Sequence, residues 1–343
     1  MYWIINLKIL YNNGGINKKV ISKLEGTKLT NILLSLSDGF IEEKRKLEKE
    51  LTSLGATVTS ITTKKESISG YLHDAEIIVT GVENMDRRAI EAAPNLKYIS
   101  KFGTGIDNID LDAAAESGII VTNTPGQNAS SVADLTFGLM LSIARNLPTS
   151  NDLVKNGGWK LHIGNEIEGK RLGIIGFGEI GKKVAKRATG FDMDIVTYAN
   201  YKDEAEAQRL GVHFVSLEEL LSTADFIVIC TNLKKSTYHL INEERLTLMK
   251  NSAYLINISR GDLIDEKALI RSLKAEQIKG AALDVFSSEP PDLELAQLNN
   301  VVCTSHIGGA TEECSKRIGN AILQNIRSYL QSKELQHIVT KND

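Results

Sequence analysis

The chain has 343 residues, a formal net charge of -3 and 24% charged side chains. That length exceeds what one small core supports, so two domains are expected. The near balance of charge, with no block of one sign, speaks against a nucleic-acid or membrane surface and for a small-molecule partner.

Met1 to Leu10 is apolar but has no basic start and no small-residue cleavage site, and Lys8 interrupts it, so no signal peptide is expected. Residues 1–30 carry no strong pattern and read as a variable extension. No stretch approaches the roughly 20 apolar residues of a membrane span. From Asn31 short apolar strands alternate with helices: Ile32 to Leu36, Thr57 to Ile61, Ile77 to Thr80, Tyr98 to Ser100 and Ile119 to Thr122. Such alternation predicts a parallel sheet. The charged helix around Glu42 to Glu50 carries one apolar stripe, Phe40, Leu47, Leu51 and Leu54, and its charges read as a solvated face. Ser130 to Leu147 predicts a helix apolar on nearly every face, which domain packing or a second subunit must cover; a homodimer through this region is expected.

A second alternating series follows, with strands Leu172 to Ile175, Ile195 to Tyr198, Phe226 to Cys230, Tyr254 to Ile258, Ala281 to Val285 and Val301 to Thr304. Six parallel strands predict a doubly wound sheet. Ser216 with Glu219, and Asp265 ahead of Glu266 to Lys274, mark helix starts. A last helix, about Glu312 to Leu330, presents Ile318, Ala321, Ile322 and Ile326 on one face. Three cysteines, Cys230, Cys303 and Cys314, cannot all pair, which suits a reducing compartment and predicts a cytoplasmic protein.

The run Gly176-Phe177-Gly178-Glu179-Ile180-Gly181 follows an apolar strand and opens a helix. Its glycines suit a tight turn, close approach of backbone to a pyrophosphate and close packing of helix on strand, so a dinucleotide is expected there. At the end of the next strand an NAD-preferring fold carries an acid for the ribose 2'-hydroxyl. Here Ala199 and Asn200 stand instead and Lys202 is near, while Asp203 and Glu204 argue the other way. The choice between NAD and NADP stays open, with a lean to NADP.

Arg260, Glu289 and His306 each follow a predicted strand, and ligands of open parallel sheets bind beyond the strands' carboxyl ends. Reduction of a 2-keto acid needs a cation for the carboxylate and a proton for the developing alkoxide. The planar fork of Arg260 suits the first task and the imidazole of His306 the second, with Glu289 fixing its tautomer. Taken singly, each has a duller reading as a surface ion pair, a loop residue or a structural histidine; their joint placement favours function. The remaining histidines, His73, His162, His213, His239 and His337, fall in predicted helix or loop without such partners, and no spacing resembles a metal site. A second turn, Gly103-Thr104-Gly105 after Lys101, offers backbone amides to a carboxylate.

The segments Lys101 to Gly126, Leu172 to Gly181, Ile256 to Leu269, Gly280 to Pro291 and His306 to Thr311 together resemble the D-isomer-specific 2-hydroxyacid dehydrogenase family, over about Asn31 to Leu330. Within that family the resemblance is strongest to the D-3-phosphoglycerate dehydrogenases. It implies catalytic Arg260, Glu289 and His306, and substrate contacts from Lys101, Arg260 and the amides of Thr104 and Gly105. It implies cofactor contacts from Thr124, Gly176, Gly178, Glu179, Ile180, Gly181, Thr231, Ile258, Ser259, Asp284, Gly308 and Gly309, with Ala199, Asn200 and Asn232 as departures beside the adenosine. The implied architecture is two Rossmann-like α/β domains with a cleft between them: a flavodoxin-like substrate domain split into 1–126 and 306–343, and a dinucleotide domain over 127–305. Phosphoglycerate oxidation leads, glyoxylate or hydroxypyruvate reduction is the alternative, and a nicotinamide-sensing corepressor is the alternative outside enzymes. Many phosphoglycerate dehydrogenases carry a C-terminal regulatory domain; with the sequence ending at Asp343, serine feedback through such a domain is not expected.

Overall fold

The structure is a computed structural model that describes residues 30–63 and 66–340. The readings of Met1 to Leu10 and of the extension up to residue 29 lie outside the described residues. By compactness the described chain forms two units, one running to Asn123 and resuming at Gly319, the other Thr124–Ile318. The divides thus fall slightly before the expected 126 and well after the expected 305, the second of them inside a helix.

In the first unit β1 (Asn31–Leu36), β2 (Thr57–Thr62), β3 (Ile77–Thr80), β4 (Tyr98–Lys101) and β5 (Ile120–Thr122) form a parallel sheet in the order β2-β1-β3-β4-β5. β3 and β4 are buried along their whole length, as strands covered on both faces must be. The helix α1 (Ile41–Ser53) buries Leu47 and Leu51 as its stripe requires. Its charges are not all solvated: Glu43 keeps only 6% exposure, beside Lys46 at 3.3 Å. Gly319 makes room for it, since a Cβ there would overlap the Glu43 carboxylate. After the last helix the chain adds an antiparallel bridge, Thr122 to Ile338, in which the Val339 N–H donates to the Val121 carbonyl at 2.8 Å. That segment protects the exposed edge of β5.

In the second unit α2 (Ala129–Arg145) and α3 (Leu147–Lys155) precede β6 (Arg171–Ile175), β7 (Asp194–Tyr198), β8 (Val212–Phe214), β9 (Phe226–Ile229), β10 (Tyr254–Asn257), β11 (Gly280–Leu283) and β12 (Val301–Cys303). Their parallel order is β12-β11-β10-β9-β6-β7-β8. The unexpected seventh strand is β8, three residues with exposed His213 in the middle and no apolar run to announce it. Both predicted helix caps form: the Ser216 hydroxyl accepts from the Glu219 N–H at 3.1 Å and Asp265 from the Ala268 N–H at 3.0 Å.

The covering of α2 corrects the sequence expectation. Val132, Phe137, Leu139, Met140 and Ile143 are buried in the unit's own core, and Leu135 and Leu141 pack against it, so this helix needs no second subunit to cover it. The uncovered apolar surface lies further on, at Leu147, Val154, Trp159, Leu161 and Ile163, the last three more than 80% exposed. Among the described residues no helix is long and apolar enough to cross a membrane.

Candidate active site

Strand order in the second sheet reverses between β6 and β9, and such a switch point opens a crevice at the carboxyl ends of the strands. The glycine turn leaves β6 there. Gly176 has φ +104°, and a Cβ on it would lie 2.9 Å from the backbone of Cys230 and Thr231 at the end of β9. Gly181 packs helix on turn, since a Cβ would overlap the Gly176 carbonyl oxygen. A Cβ on Gly178 would meet nothing within 4 Å. Gly178 is also the N-cap of α4 (Glu179–Ala188) and supplies no side chain to the first amides. Two glycines are thus demanded by the protein itself, while the middle one faces open space beside uncapped amides. A pyrophosphate group fits that arrangement.

Around this turn Glu179 is exposed, Ile180 half-buried and Thr124 buried. Ala199 packs partly against the core at the end of β7, and Asn200 is exposed. The ammonium of Lys202 lies 5.5 Å from the Phe214 ring centroid. Asp203 caps the helix α5 (Glu204–Leu210), accepting from the Glu206 N–H at 3.2 Å and from Lys182 Nζ at 2.7 Å. The Lys182 hydrogen bond, followed by that backbone bond, holds the Asp203 carboxyl below its usual range. On the far side of the turn the Thr231 carbonyl accepts from the Ser259 hydroxyl, the Asn232 carbonyl accepts from Thr237 Oγ1 at 2.8 Å, and Ile258 is buried.

The three residues expected to carry the reaction leave neighbouring strands at one level. Asn257 of β10 pairs in register with Leu283 of β11, and Leu283 with Cys303 of β12. Arg260 and His306 each come three residues beyond their strand, and Glu289 rides on the loop after β11. The Asn257 side chain sets the first turn, donating to the Arg260 carbonyl at 2.8 Å and accepting from the Ser259 N–H at 3.1 Å. Gly261 lets that turn abut the next loop, because any Cβ would overlap the Phe286–Ser287 peptide. Glu266, first residue of α6 (Glu266–Lys274), clamps the loop bearing Glu289 by accepting from the Ser287 N–H at 2.7 Å and the Ser287 hydroxyl at 2.6 Å.

His306 Nδ1 lies 3.0 Å from each carboxylate oxygen of Glu289. A carboxylate only accepts, so Nδ1 carries the hydrogen and Nε2 is left to exchange a proton. Both side chains are about half exposed, at 48% and 43%, so the pair orients the ring more than it stabilises the fold. His73 also has a carboxylate neighbour, Asp74 at 3.0 Å, contrary to expectation, but both are exposed and adjacent in sequence. His213 lies in a strand, not in helix or loop.

In the first unit Lys101 keeps only 7% exposure. Its ammonium donates to the Gly81 carbonyl and to Asn108 Oδ1, and Asn108 Nδ2 donates to the Glu83 carbonyl. The Thr104 carbonyl accepts from Asn123 Nδ2 at 2.8 Å, and Gly103, with φ +139°, takes a backbone form that favours glycine. Asn108, Asn257 and Glu266 were not singled out from the sequence. Each sits inside or beside a segment that was, but its partner is distant or depends on a turn that spacing does not reveal.

Residues 137–308 match the family described as D-isomer specific 2-hydroxyacid dehydrogenase, NAD binding domain. The chain is 40% identical over 282 residues to a glyoxylate reductase of Thermococcus litoralis, covering 79% of this chain and 85% of that protein. This chain belongs to the D-isomer specific 2-hydroxyacid dehydrogenase family. It is also 42% identical over 296 residues to a D-3-phosphoglycerate dehydrogenase of Methanocaldococcus jannaschii, covering 85% of this chain but only 56% of that longer protein. Among solved structures, D-lactate dehydrogenase of Aquifex aeolicus complexed with NAD and lactic acid matches with a TM-score of 0.78 and 30% identity, over 88% of this chain and 96% of that one. As a family member the chain is an oxidoreductase of CH–OH groups that uses a nicotinamide dinucleotide, and a small 2-hydroxy or 2-keto acid fits as substrate.

Proposed function

We propose that this protein interconverts a D-2-hydroxy acid and its 2-keto acid at the edge formed by β10, β11 and β12. The observation that carries the reading is the Glu289 carboxylate 3.0 Å from His306 Nδ1, in a loop next to the Arg260 turn. The bound nicotinamide supplies or accepts the hydride. Arg260 binds the substrate carboxylate and polarises the neighbouring carbonyl, Glu289 holds the imidazole in one tautomer, and His306 Nε2 gives the alkoxide its proton or takes the hydroxyl's. The second unit binds the dinucleotide. Lys101 and the amides of Thr104 and Gly105 are the further substrate contacts that family resemblance implies.

NADP is the preferred cofactor in this reading. Ala199 and Asn200 present no carboxylate, Lys202 is exposed beside them, and Asp203, the nearest acid, is already tied to Lys182. The protein acts as a homodimer, through the apolar stretch from Leu147 to Ile163, and works in a reducing compartment such as the cytoplasm, where three free thiols are stable. Phosphoglycerate and glyoxylate are the two substrate readings that relatives' names suggest, and hydroxypyruvate stands beside glyoxylate as the same class of 2-keto acid.

The test is a panel of 2-hydroxy and 2-keto acids assayed with NAD(H) and NADP(H), following absorbance of the reduced nicotinamide. Turnover of at least one acid, faster with NADP(H), is expected. No turnover of any acid with either cofactor, despite cofactor binding, would reject catalysis and favour a nicotinamide-sensing protein.

A further inference from the structure

Asp284 is the residue directly after β11 and is 1% exposed. Its Oδ1 accepts from the Thr304 hydroxyl at 2.6 Å and from the Ile307 N–H at 2.8 Å. Its Oδ2 accepts from the Gly308 N–H at 2.8 Å, and its backbone carbonyl accepts from the His306 N–H at 2.9 Å. Every one of these donors lies in 304–308, the turn that carries the reactive imidazole.

Within that turn His306 has φ +55°. A side chain in the left-handed region costs about 1–2 kcal/mol, so the surroundings must impose it. Two amide groups directly after His306 aim at one carboxylate, which requires the chain to fold back at His306. Gly308 permits the approach, since a Cβ on it would stand 3.0 Å from Asp284 Oδ2. A carboxylate offers about four acceptor sites, and three of those on Asp284 serve the turn. Neutralising such a buried acid turns one acceptor oxygen into a donor that faces an N–H group of the turn.

We infer that Asp284 is a positioning residue: its carboxylate holds the turn 304–308 in the left-handed form that sets His306 against Glu289. This assignment rests on the catalytic reading of His306, and it differs from the cofactor contact that family resemblance implies for Asp284.

The test uses the full chain with Asp284→Asn and, as a milder change, Thr304→Val, which removes one hydroxyl donor and leaves the amides in place. Hydrogen exchange of the peptide covering 304–309 is followed by mass spectrometry, beside kcat and the cofactor dissociation constant measured by fluorescence. In Asp284→Asn, exchange at Ile307 and Gly308 is expected to accelerate at least about 10-fold, and kcat to fall about 10²-fold, the cost of a reacting group displaced by an ångström. The cofactor dissociation constant is expected to stay near the wild-type value. Thr304→Val should shift exchange and kcat in the same direction by less, and it carries the test if Asp284→Asn does not fold. Unchanged exchange across 304–309 in the folded variants would overturn the inference. So would a loss of cofactor affinity as large as the loss of kcat, which marks a cofactor contact instead. If the wild type turns over no acid, the proposed function fails, while the exchange data still judge the hold of Asp284 on the turn.

Discussion

At the carboxyl edge of the first sheet Lys101 is buried and gives its ammonium to the Gly81 carbonyl and Asn108; at that of the second, Asp284 is buried and takes two amides and a hydroxyl. Each ion is satisfied by loop groups of the opposite polarity, as a buried charge must be. The edges differ in what remains for a ligand. Beyond Asp284 the chain presents His306 and Glu289 half exposed, so the residue that holds the loop is distinct from those proposed to react. At the first edge the charged residue that resemblance assigns to the substrate is the same one that holds the loops.

The contrast can be broken first at Glu289. Glu289→Gln should lower kcat/KM about 10²-fold by weakening control of the imidazole, with little change in melting temperature, since the pair is half exposed. Equal loss of stability would mean that the second edge also mixes the two tasks. At the first edge, Lys101→Met should do the reverse and destabilise the fold by about 1–3 kcal/mol, because buried acceptors lose their donor; denaturant unfolding measures it. A wild-type midpoint with only a raised KM would show Lys101 to be a ligand contact alone. The same logic separates two glycines. Gly181→Ala should lower stability by about 1–3 kcal/mol through overpacking, whereas Gly178→Ala should fold normally and weaken cofactor binding.

The smallest effect concerns Lys182 and Asp203. The native Asp203 pKa lies below the unfolded value of 3.8, chiefly through the Lys182 hydrogen bond. Its contribution is therefore complete above the unfolded value and is lost as pH falls through the native one. Thermal melts of wild type and Asp203→Asn should differ slightly at neutral pH and converge in acid. A gap that widens as pH falls would contradict the pairing.

Most strands were legible because their apolar runs are continuous, and the register that brings Arg260, Glu289 and His306 to one edge follows from strands of similar phase. β8 was not, since its three residues alternate apolar and polar and make no continuous run. The cover of α2 was misjudged because periodicity reports that a face needs burial and not what buries it. Gly176 and Gly181 were readable from spacing alone; the tasks of Asn257, Glu266 and Asn108 depend on turns and clamps known only once the strands are paired. The divide inside Glu312–Leu330 was equally hidden, since a helix with one regular apolar stripe gives no sign that its two ends belong to different units.

The most direct measurement is His306→Ala assayed with the best acid of the panel, beside cofactor titration by nicotinamide fluorescence. Turnover should fall by about 10²–10⁴-fold while the cofactor dissociation constant stays near the wild-type value. Undiminished turnover would contradict the assignment of proton transfer to His306 and with it the reaction centre at β10, β11 and β12.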